Sequence, residues 1–188
     1  VMVKGAKYFE SFAKADTIVF DKTGTLTEAQ PRLACVLTTD GWSEDEVLRL
    51  SACLEEHFPH PVARAVVNAA RERGLEHRER HAAVEYIVAH GIASSIEGRR
   101  AIIGSAHFVF EDEGAQLESD IKERIESQMQ GLSPLYLAVD GTVVGVLGIE
   151  DPLKPGVREA IADLHALGVR RVVMLTGDSE RTAERIAR

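Results

Sequence analysis

Two short apolar runs, far apart in the chain, each end in a polar turn that contains threonine and glycine. The first run, residues 15–20 (ADTIVF), is followed by DKTGT, and the second, residues 169–175 (VRRVVML), is followed by TGD. A helix-like pattern that ends at a glycine precedes the second run, and another helix-like pattern follows it. Short buried strands that alternate with helices are typical of a parallel sheet covered by helices. We therefore predict an α/β fold that contains both runs as strands.

The region between the two runs has a different pattern and predicts an inserted α+β domain. Helices are indicated at residues 43–57, which begin with a serine–glutamate capping box, and at residues 61–74, which begin with a proline and end with a glycine. Alternating apolar residues broken by glycines predict three short antiparallel strands over residues 83–104. Residues 117–131 have the pattern of a polar amphipathic helix.

These patterns divide the chain into a first domain in two segments and an insert. We predict that residues 1–27 and 134–188 form the α/β domain and that residues 28–133 form the insert. The second segment of the α/β domain would include two strands joined by an Asp-Gly hairpin turn. Hinges are expected near residues 28–31 and 133–134.

Charge and cysteine content exclude several classes of function. The formal net charge is −8, which argues against a nucleic-acid surface because phosphate binding requires a basic stripe. The two cysteines, Cys35 and Cys53, form no CxxC motif, so a reduced cytosolic chain without a disulfide framework is expected. No apolar run approaches the ~20 residues that cross a bilayer, so we expect a soluble segment.

Asp21 follows the first predicted strand, at the edge where open α/β sheets bind ligands. The KTGT turn after it can offer backbone N–H groups to an anion. A carboxylate beside a phosphoryl group can attack it and form an acyl phosphate, and Lys22 and a bound Mg²⁺ can offset the repulsion between the two anions. Asp21 alone would equally suit a turn cap.

The whole string DKTGTLT, residues 21–27, resembles the phosphorylation motif of P-type ATPases, which are ion pumps of the haloacid-dehalogenase-like superfamily. MLTGD (residues 174–178) resembles the phosphate-contacting loop of that superfamily. DPLKP (residues 151–155) resembles the hinge at which the insert rejoins the first domain, with Asp151 at that hinge. The resemblance implies a Rossmann-like phosphorylation domain that carries an inserted nucleotide-binding domain of antiparallel sheet and helices.

The same resemblance implies roles for single residues. Asp21 would be the phosphorylated nucleophile. Thr176 would contact the transferred phosphate through its hydroxyl group and Gly177 through its backbone N–H, and Asp178 would orient the loop. Asp21 and the backbone carbonyl of Thr23 would bind Mg²⁺. Phosphatases of the superfamily usually have a second aspartate at the position of Thr23, and threonine does no acid–base work near neutral pH, so the aspartyl phosphate should persist.

In the insert, LEEHFPHPVARAVV (residues 54–67) resembles the glutamate and His-Pro motif of the heavy-metal-transporting branch of the family. The resemblance implies that His60 contacts the adenine of ATP and that Glu55 helps to hold it. Two alternatives remain open. His60 can act only as the cap of the helix that begins at Pro61, or a metal site can form from a cluster of four side chains, namely Cys53, Glu56, His57 and His60.

Four further residues are expected at the nucleotide site through the resemblance: Gly91, Gly98, Gly104 and Ser105. The sequence departs from the family at two points, since Ala89 replaces the first glycine of a Gly-x-Gly pair and Ser105 replaces an asparagine. Each lone glycine would also suit a turn or a bulge.

The sequence therefore predicts the ATP-binding and phosphorylation region of an ATP-driven heavy- or transition-metal cation pump, with ATP and Mg²⁺ as cofactors. The segment would lie at the cytosolic face of a membrane, and the transported cation would pass through a membrane domain outside this chain. A GDGxND motif of the family is absent, so we expect an incomplete sheet in the first domain and weak or no phosphorylation of the isolated chain. The alternatives are a phosphatase of the same superfamily and a non-catalytic nucleotide-binding module.

Overall fold

The computed structural model of the chain describes residues 5–75, 85–87, 91–96, 98–176 and 183. The helices are α1 (Ala6–Ala13), α2 (Glu44–Glu55), α3 (Pro61–Glu72), α4 (Ser119–Gln128) and α5 (Val157–Ala166). The strands are β1 (Thr17–Asp21), β2 (Arg32–Thr38), β3 (Glu85–Ile87), β4 (Gly91–Ile96), β5 (Arg99–Gly104), β6 (Ser133–Val139), β7 (Thr142–Glu150) and β8 (Arg171–Leu175). No helix within these described ranges is both long and apolar enough to span a membrane.

The strands form two sheets. β1 and β8 pair in parallel, with Thr17 opposite Arg171 and Asp21 opposite Leu175. The other six strands form an antiparallel sheet in the order β2-β7-β6-β5-β4-β3. The predicted α/β fold with an inserted antiparallel domain is therefore confirmed, and the two apolar runs that suggested it lie side by side.

The sheet order corrects the second predicted domain boundary. Residues 134–150 were expected in the α/β domain, but β6 and β7 pair with β5 and β2 in the antiparallel sheet, so the insert continues to Glu150. The assignment of β7 to the α/β domain was wrong because its burial pattern is unusual for an antiparallel strand: residues 143–149 are all buried. A continuous apolar run usually indicates a parallel strand, and here it belongs to an antiparallel sheet that is covered on both faces.

The two faces of the antiparallel sheet are covered by different elements. α2 and α3 pack on one face, around a core that includes Leu48, Val66 and Leu147. α4 and the helical segment His107–Asp112 cover the other face, around a core that includes Phe108. Residues on both faces of this sheet are therefore withdrawn from water, and burial of this apolar surface is the main force that stabilises the insert.

The helices of the insert begin where their sequences predict. The Ser43 Oγ accepts from the Glu46 N–H at 3.3 Å, and the Glu46 carboxylate accepts from the Ser43 N–H at 2.9 Å, which completes the capping box at the start of α2. α2 lies close to β7 because Gly145 has no side chain, since a Cβ there would stand 2.4 Å from the Val47 Cγ1.

Two chain crossings connect the sheets and run side by side. The Glu28 N–H donates to the Pro152 carbonyl at 2.9 Å, and Thr27 forms an antiparallel bridge with Leu153. The Lys154 N–H donates to the Leu26 carbonyl at 2.8 Å. These contacts place the turn that follows β1 directly against the segment that follows β7.

Candidate functional site

Asp21 is the last residue of β1, and its neighbour across the parallel pair is Leu175, the last residue of β8. Thr176 follows Leu175, so the structure brings Asp21 and Thr176 to the same edge of the sheet. The Asp21 side chain is exposed, and it forms no hydrogen bond or ion pair with any other described residue. Gly177 and Asp178, the other two residues of the predicted phosphate loop, lie outside the described residues.

The turn after Asp21 is a compact loop that holds a glycine in the left-handed region. Gly24 has φ of 77°, and its N–H donates to the Thr27 Oγ at 3.1 Å. The Thr27 N–H donates to the Lys22 carbonyl at 3.1 Å, which closes the loop. Lys22 is only 6% exposed, so its ammonium group lies within the protein, whereas Thr23 is exposed.

The second crossing fixes this loop through side chains that the sequence analysis did not assign to the site. The Thr27 hydroxyl donates to the Asp151 Oδ2 at 2.6 Å, and the Lys154 Nζ donates to the Gly24 carbonyl at 2.5 Å. Thr27 lies within the DKTGTLT motif and Lys154 within DPLKP, so the two motifs meet in space. The conformation of the loop that follows β1 is therefore tied to the segment by which the insert rejoins the first domain.

Asp151 is satisfied on one side only. Its Oδ2 accepts from Thr27, while its Oδ1 is buried and has no hydrogen-bond partner within the described part of the chain. A half-satisfied buried carboxylate is costly, so the remaining contact with Thr27 is expected to matter for this junction.

A cavity of about 640 Å³ lies in the insert, between the end of α2, the α2–α3 loop, and β4 and β5. Most of its wall is apolar, formed by Phe58, Pro59, Val62, Ile92, Ile103 and Leu135. The polar side chains at its wall are Glu55, His57, His60 and Ser105. An apolar cavity with a few convergent polar groups is the usual form of a small-molecule site.

The cavity brings together five of the six residues that the sequence analysis expected at the nucleotide site: Glu55, His60, Gly91, Gly104 and Ser105. Gly98 does not belong to this group. It lies in the turn between β4 and β5 with φ of 82°, whereas Gly91 and Gly104 are paired at the other end of the same hairpin, roughly 20 Å away at 3.3 Å per residue. Gly98 is therefore a turn glycine, because an L side chain is strained at that backbone conformation.

Gly91 and Ser105 have packing roles as well as a position at the cavity. A Cβ on Gly91 would stand 2.2 Å from the Phe108 ring and 2.6 Å from the Ile103 carbonyl, so no side chain fits there. The Ser105 Oγ accepts from the Phe108 N–H at 3.3 Å and so holds the start of the His107–Asp112 segment. Ala89 lies outside the described residues.

His60 caps α3 and also faces the cavity. Its Nδ1 accepts from the Val62 N–H at 3.3 Å, which leaves the proton of the neutral ring on Nε2 as a donor. The cap and a ligand contact therefore use different ring nitrogens and are compatible.

The metal cluster considered from the sequence is not assembled. Cys53 is buried within the α2 core, whereas His57 and His60 are exposed. No group of three metal-ligating side chains is present among the residues that the structure describes.

Glu55 is the last residue of α2 and is only 8% exposed. Burial raises the pKa of its carboxyl from 4.5 to about 7, because the charged form loses its hydration. Within the described part of the chain, no hydrogen bond or ion pair compensates for that loss. The carboxyl is thus close to half protonated at neutral pH.

The chain matches known proteins over its whole length. A family model for haloacid dehalogenase-like hydrolases matches residues 15–188. A copper-exporting P-type ATPase of Legionella pneumophila (subsp. pneumophila, strain Philadelphia 1) is 39% identical over 187 residues, which are 100% of this chain and 25% of that protein. The chain therefore spans about a quarter of the length of such relatives.

Solved structures give the same assignment. The crystal structure of a zinc-transporting PIB-type ATPase in the E2.Pi state superposes with a TM-score of 0.72 at 31% identity, covering 99% of this chain and 30% of that chain. The N-domain of HMA6, a copper-transporting P-type ATPase, covers 64% of this chain and 99% of its own at a TM-score of 0.53 and 28% identity. The chain belongs to the haloacid dehalogenase-like hydrolase family and is homologous to the phosphorylation and nucleotide-binding region of heavy-metal P-type ATPases.

Proposed function

We propose that the chain is the ATP-binding and phosphorylation unit of an ATP-driven pump for heavy- or transition-metal cations. The observation that carries this proposal is the Asp21 carboxylate, which is exposed and unpartnered among the described residues at the carboxyl edge of β1, beside the end of β8. A carboxylate in this position is available to attack a phosphoryl group.

The cavity of the insert is the proposed nucleotide site. Its apolar wall suits the faces of a purine ring, and the His60 Nε2 and the Glu55 carboxyl supply polar contacts at its edge. The triphosphate would extend from this cavity toward Asp21. Gly91 and Gly104 also line the cavity and, as glycines, contribute only backbone to its wall.

In the proposed reaction, an Asp21 carboxylate oxygen attacks the γ-phosphorus of ATP. The new O–P bond forms as the bond between the γ-phosphorus and the β–γ bridging oxygen breaks, and ADP leaves with that electron pair. We propose that Thr176, which follows the β8 residue opposite Asp21, donates its hydroxyl to the transferred phosphoryl group and that Gly177 and Asp178 complete this loop.

Mg²⁺ fits the oxygen atoms at this edge. The exposed Asp21 carboxylate and the backbone carbonyl of exposed Thr23 are the hard oxygen ligands that Mg²⁺ prefers beside a phosphate. The ion would neutralise charge between the carboxylate and the phosphoryl group when bound. Lys22, which is buried next to Asp21, would contribute positive charge from the protein itself.

Thr23 favours a long-lived acyl phosphate. The position two residues after Asp21 carries a hydroxyl group that neither accepts nor donates a proton readily near neutral pH. Water would therefore hydrolyse the aspartyl phosphate slowly, which returns the Asp21 carboxylate and inorganic phosphate. A pump requires this delay because its conformation changes while the phosphate is attached.

The whole pump is proposed to be an integral membrane protein, with this unit at its cytosolic face. The relative from Legionella is named for copper and the superposed structure for zinc. The cation is therefore proposed only as a heavy- or transition-metal ion.

Phosphorylation of the full-length pump in membranes tests the proposal. Incubation with radiolabelled ATP, Mg²⁺ and the transported cation should label the wild-type protein, and hydroxylamine should remove the label because it cleaves acyl phosphates. Asp21→Asn should abolish the label. Asp16→Asn is the matched control, since Asp16 lies just before the other end of β1, and it should be labelled normally. Hydroxylamine-sensitive labelling that survives in Asp21→Asn would disprove the assignment.

A further inference from the structure

Glu55 is the only acidic residue among the described residues that line the cavity. The other titratable side chains there are His57 and His60, which belong to the α2–α3 loop. The residues that α3, β4, β5 and β6 contribute to the wall carry no charge: Val62, Gly91, Ile92, Ile103, Gly104 and Leu135. The carboxyl is therefore held at a mostly apolar wall, and no lysine or arginine is among the described residues that line the cavity.

The protonation state of a carboxyl decides which base edge it matches. A carboxylate only accepts hydrogen bonds, whereas a protonated carboxyl has one donor beside one acceptor. The adenine amino group is flanked by ring-nitrogen acceptors, so each edge that contains it presents a donor beside an acceptor. Guanine instead presents two adjacent donors on its N1–N2 edge, which match a carboxylate.

We propose that Glu55 selects the base of the nucleotide, and that its protonated carboxyl is the form that binds adenine. The carboxylate form binds adenine less tightly and narrows the preference for adenine over guanine. This inference rests on the proposed nucleotide site and names the ligand chemistry of that site.

The position of Glu55 supports the proposal in two ways. First, the end of α2 holds the carboxyl at the cavity, where 92% of the residue is withdrawn from water, so a base that pairs with it replaces few water molecules. Second, its pKa of about 7 means that the neutral form is available at physiological pH at little cost. A carboxyl with the ordinary pKa of about 4.3 would be almost fully ionised there.

The proposal has a quantitative consequence for ATP affinity. If only the protonated form binds adenine well, the apparent dissociation constant is the intrinsic one divided by the protonated fraction. With a pKa of about 7, this fraction falls from about 0.9 at pH 6 to about 0.1 at pH 8. Affinity for ATP should therefore weaken about tenfold over this range through Glu55 alone.

Calorimetric titration of the chain with ATP and with GTP at pH 6, 7 and 8 tests this inference. Glu55→Gln is the matched variant, because a carboxamide keeps one donor and one acceptor at every pH. The nucleotide and all other side chains of the site are common to both proteins, so their contributions to the pH dependence cancel in the ratio of affinities. We expect the wild-type affinity for ATP to fall about tenfold relative to Glu55→Gln from pH 6 to pH 8, with a narrowing ATP-over-GTP preference only in the wild type.

A second measurement needs no variant. Titrations at pH 8 in buffers of different ionisation enthalpy count the protons taken up with ATP, and we expect an uptake that approaches one proton for the wild type. A ratio of affinities that does not change with pH, or an affinity that rises with pH relative to Glu55→Gln, together with no proton uptake, would overturn the role of protonated Glu55 and leave the nucleotide site intact. No ATP binding to either protein at any of the three pH values would overturn the nucleotide site itself.

Discussion

The parallel pair that carries Asp21 and the six-stranded sheet that carries the cavity differ sharply in burial. In the insert, side chains on both faces of the sheet are fully buried, among them Leu48 and Phe108. Around the parallel pair, Val19 and Leu175 are exposed, and no residue of α5 is buried. Apolar burial is the main stabilising term of a fold, so the stability of the described part of the chain resides mainly in the insert, while the β1–β8 pair contributes little.

Two leucine-to-alanine substitutions test this difference in buried apolar surface most directly. Leu48, on α2, is 0% exposed, and Leu48→Ala should lower the free energy of unfolding by about 2–5 kcal/mol through lost burial and a residual cavity. Leu167, at the end of α5, is 83% exposed, and Leu167→Ala should change it by less than about 0.5 kcal/mol. Urea unfolding followed by circular dichroism measures both values, and similar losses in the two variants would contradict the unequal distribution of stability.

Glu55 gives the insert a stability that depends on pH. Its pKa is about 7 in the folded chain and close to 4.5 when unfolded, so the folded state binds more protons between these two values. The titration of Glu55 should therefore leave the free energy of unfolding unchanged below pH 4.5. That free energy should then fall as the pH rises from 4.5 through 7, by roughly 3 kcal/mol in total.

Urea unfolding at pH 5 and pH 8 checks this prediction with Glu55→Gln as the control. The neutral amide does not titrate, so the variant should be clearly more stable than the wild type at pH 8, and the difference should shrink towards pH 5. A difference that is the same at both pH values would show that the Glu55 carboxyl is not raised in pKa by burial.

A buried hydroxyl group takes part in the junction between the two regions. Thr27 is 0% exposed, and its Oγ accepts from the Gly24 N–H and donates to Asp151. Thr27→Val keeps the shape of the side chain but leaves both partners unsatisfied, so it should cost about 1–3 kcal/mol of unfolding free energy.

Thr27→Ser separates the hydroxyl group from the packing of the methyl group. The serine keeps both hydrogen bonds and loses only a buried methyl group, so its cost should be about 1 kcal/mol, below that of the valine variant. Equal or greater destabilisation by serine in the same urea experiment would mean that packing, and not the contact with Asp151, stabilises this junction.

Local signals in the sequence were sufficient for most of the helices and strands and for one edge of the site. The capping box placed the start of α2, and Pro61 placed the start of α3. The two strands predicted before DKTGT and TGD are both present and pair in parallel, which brings Asp21 and Thr176 to one sheet edge. Each of these signals depends on neighbouring residues, or on a general rule for parallel sheets.

Pairing between distant segments could not be predicted in the same way. β2 was not recognised, and β6 and β7 were assigned to the wrong domain, because a burial pattern does not identify the partner of a strand. The Thr27–Asp151 hydrogen bond joins residues 124 positions apart. Gly98 and Gly104 look alike as single glycines, and only the hairpin register separates the turn from the cavity.

A small effect on stability is expected at His60, where two substitutions separate a structural role from a binding role. His60→Ala removes the acceptor for the Val62 N–H and should cost about 1 kcal/mol, as is typical for a lost N-cap. His60→Asn should cost little, because asparagine is a good N-cap residue. If the imidazole contacts the base, both variants should bind ATP more weakly in calorimetry although only the alanine variant is destabilised. Normal ATP affinity in His60→Asn would instead show that His60 acts only as the cap of α3. Of the two side chains proposed to contact the base, only Glu55 would then remain.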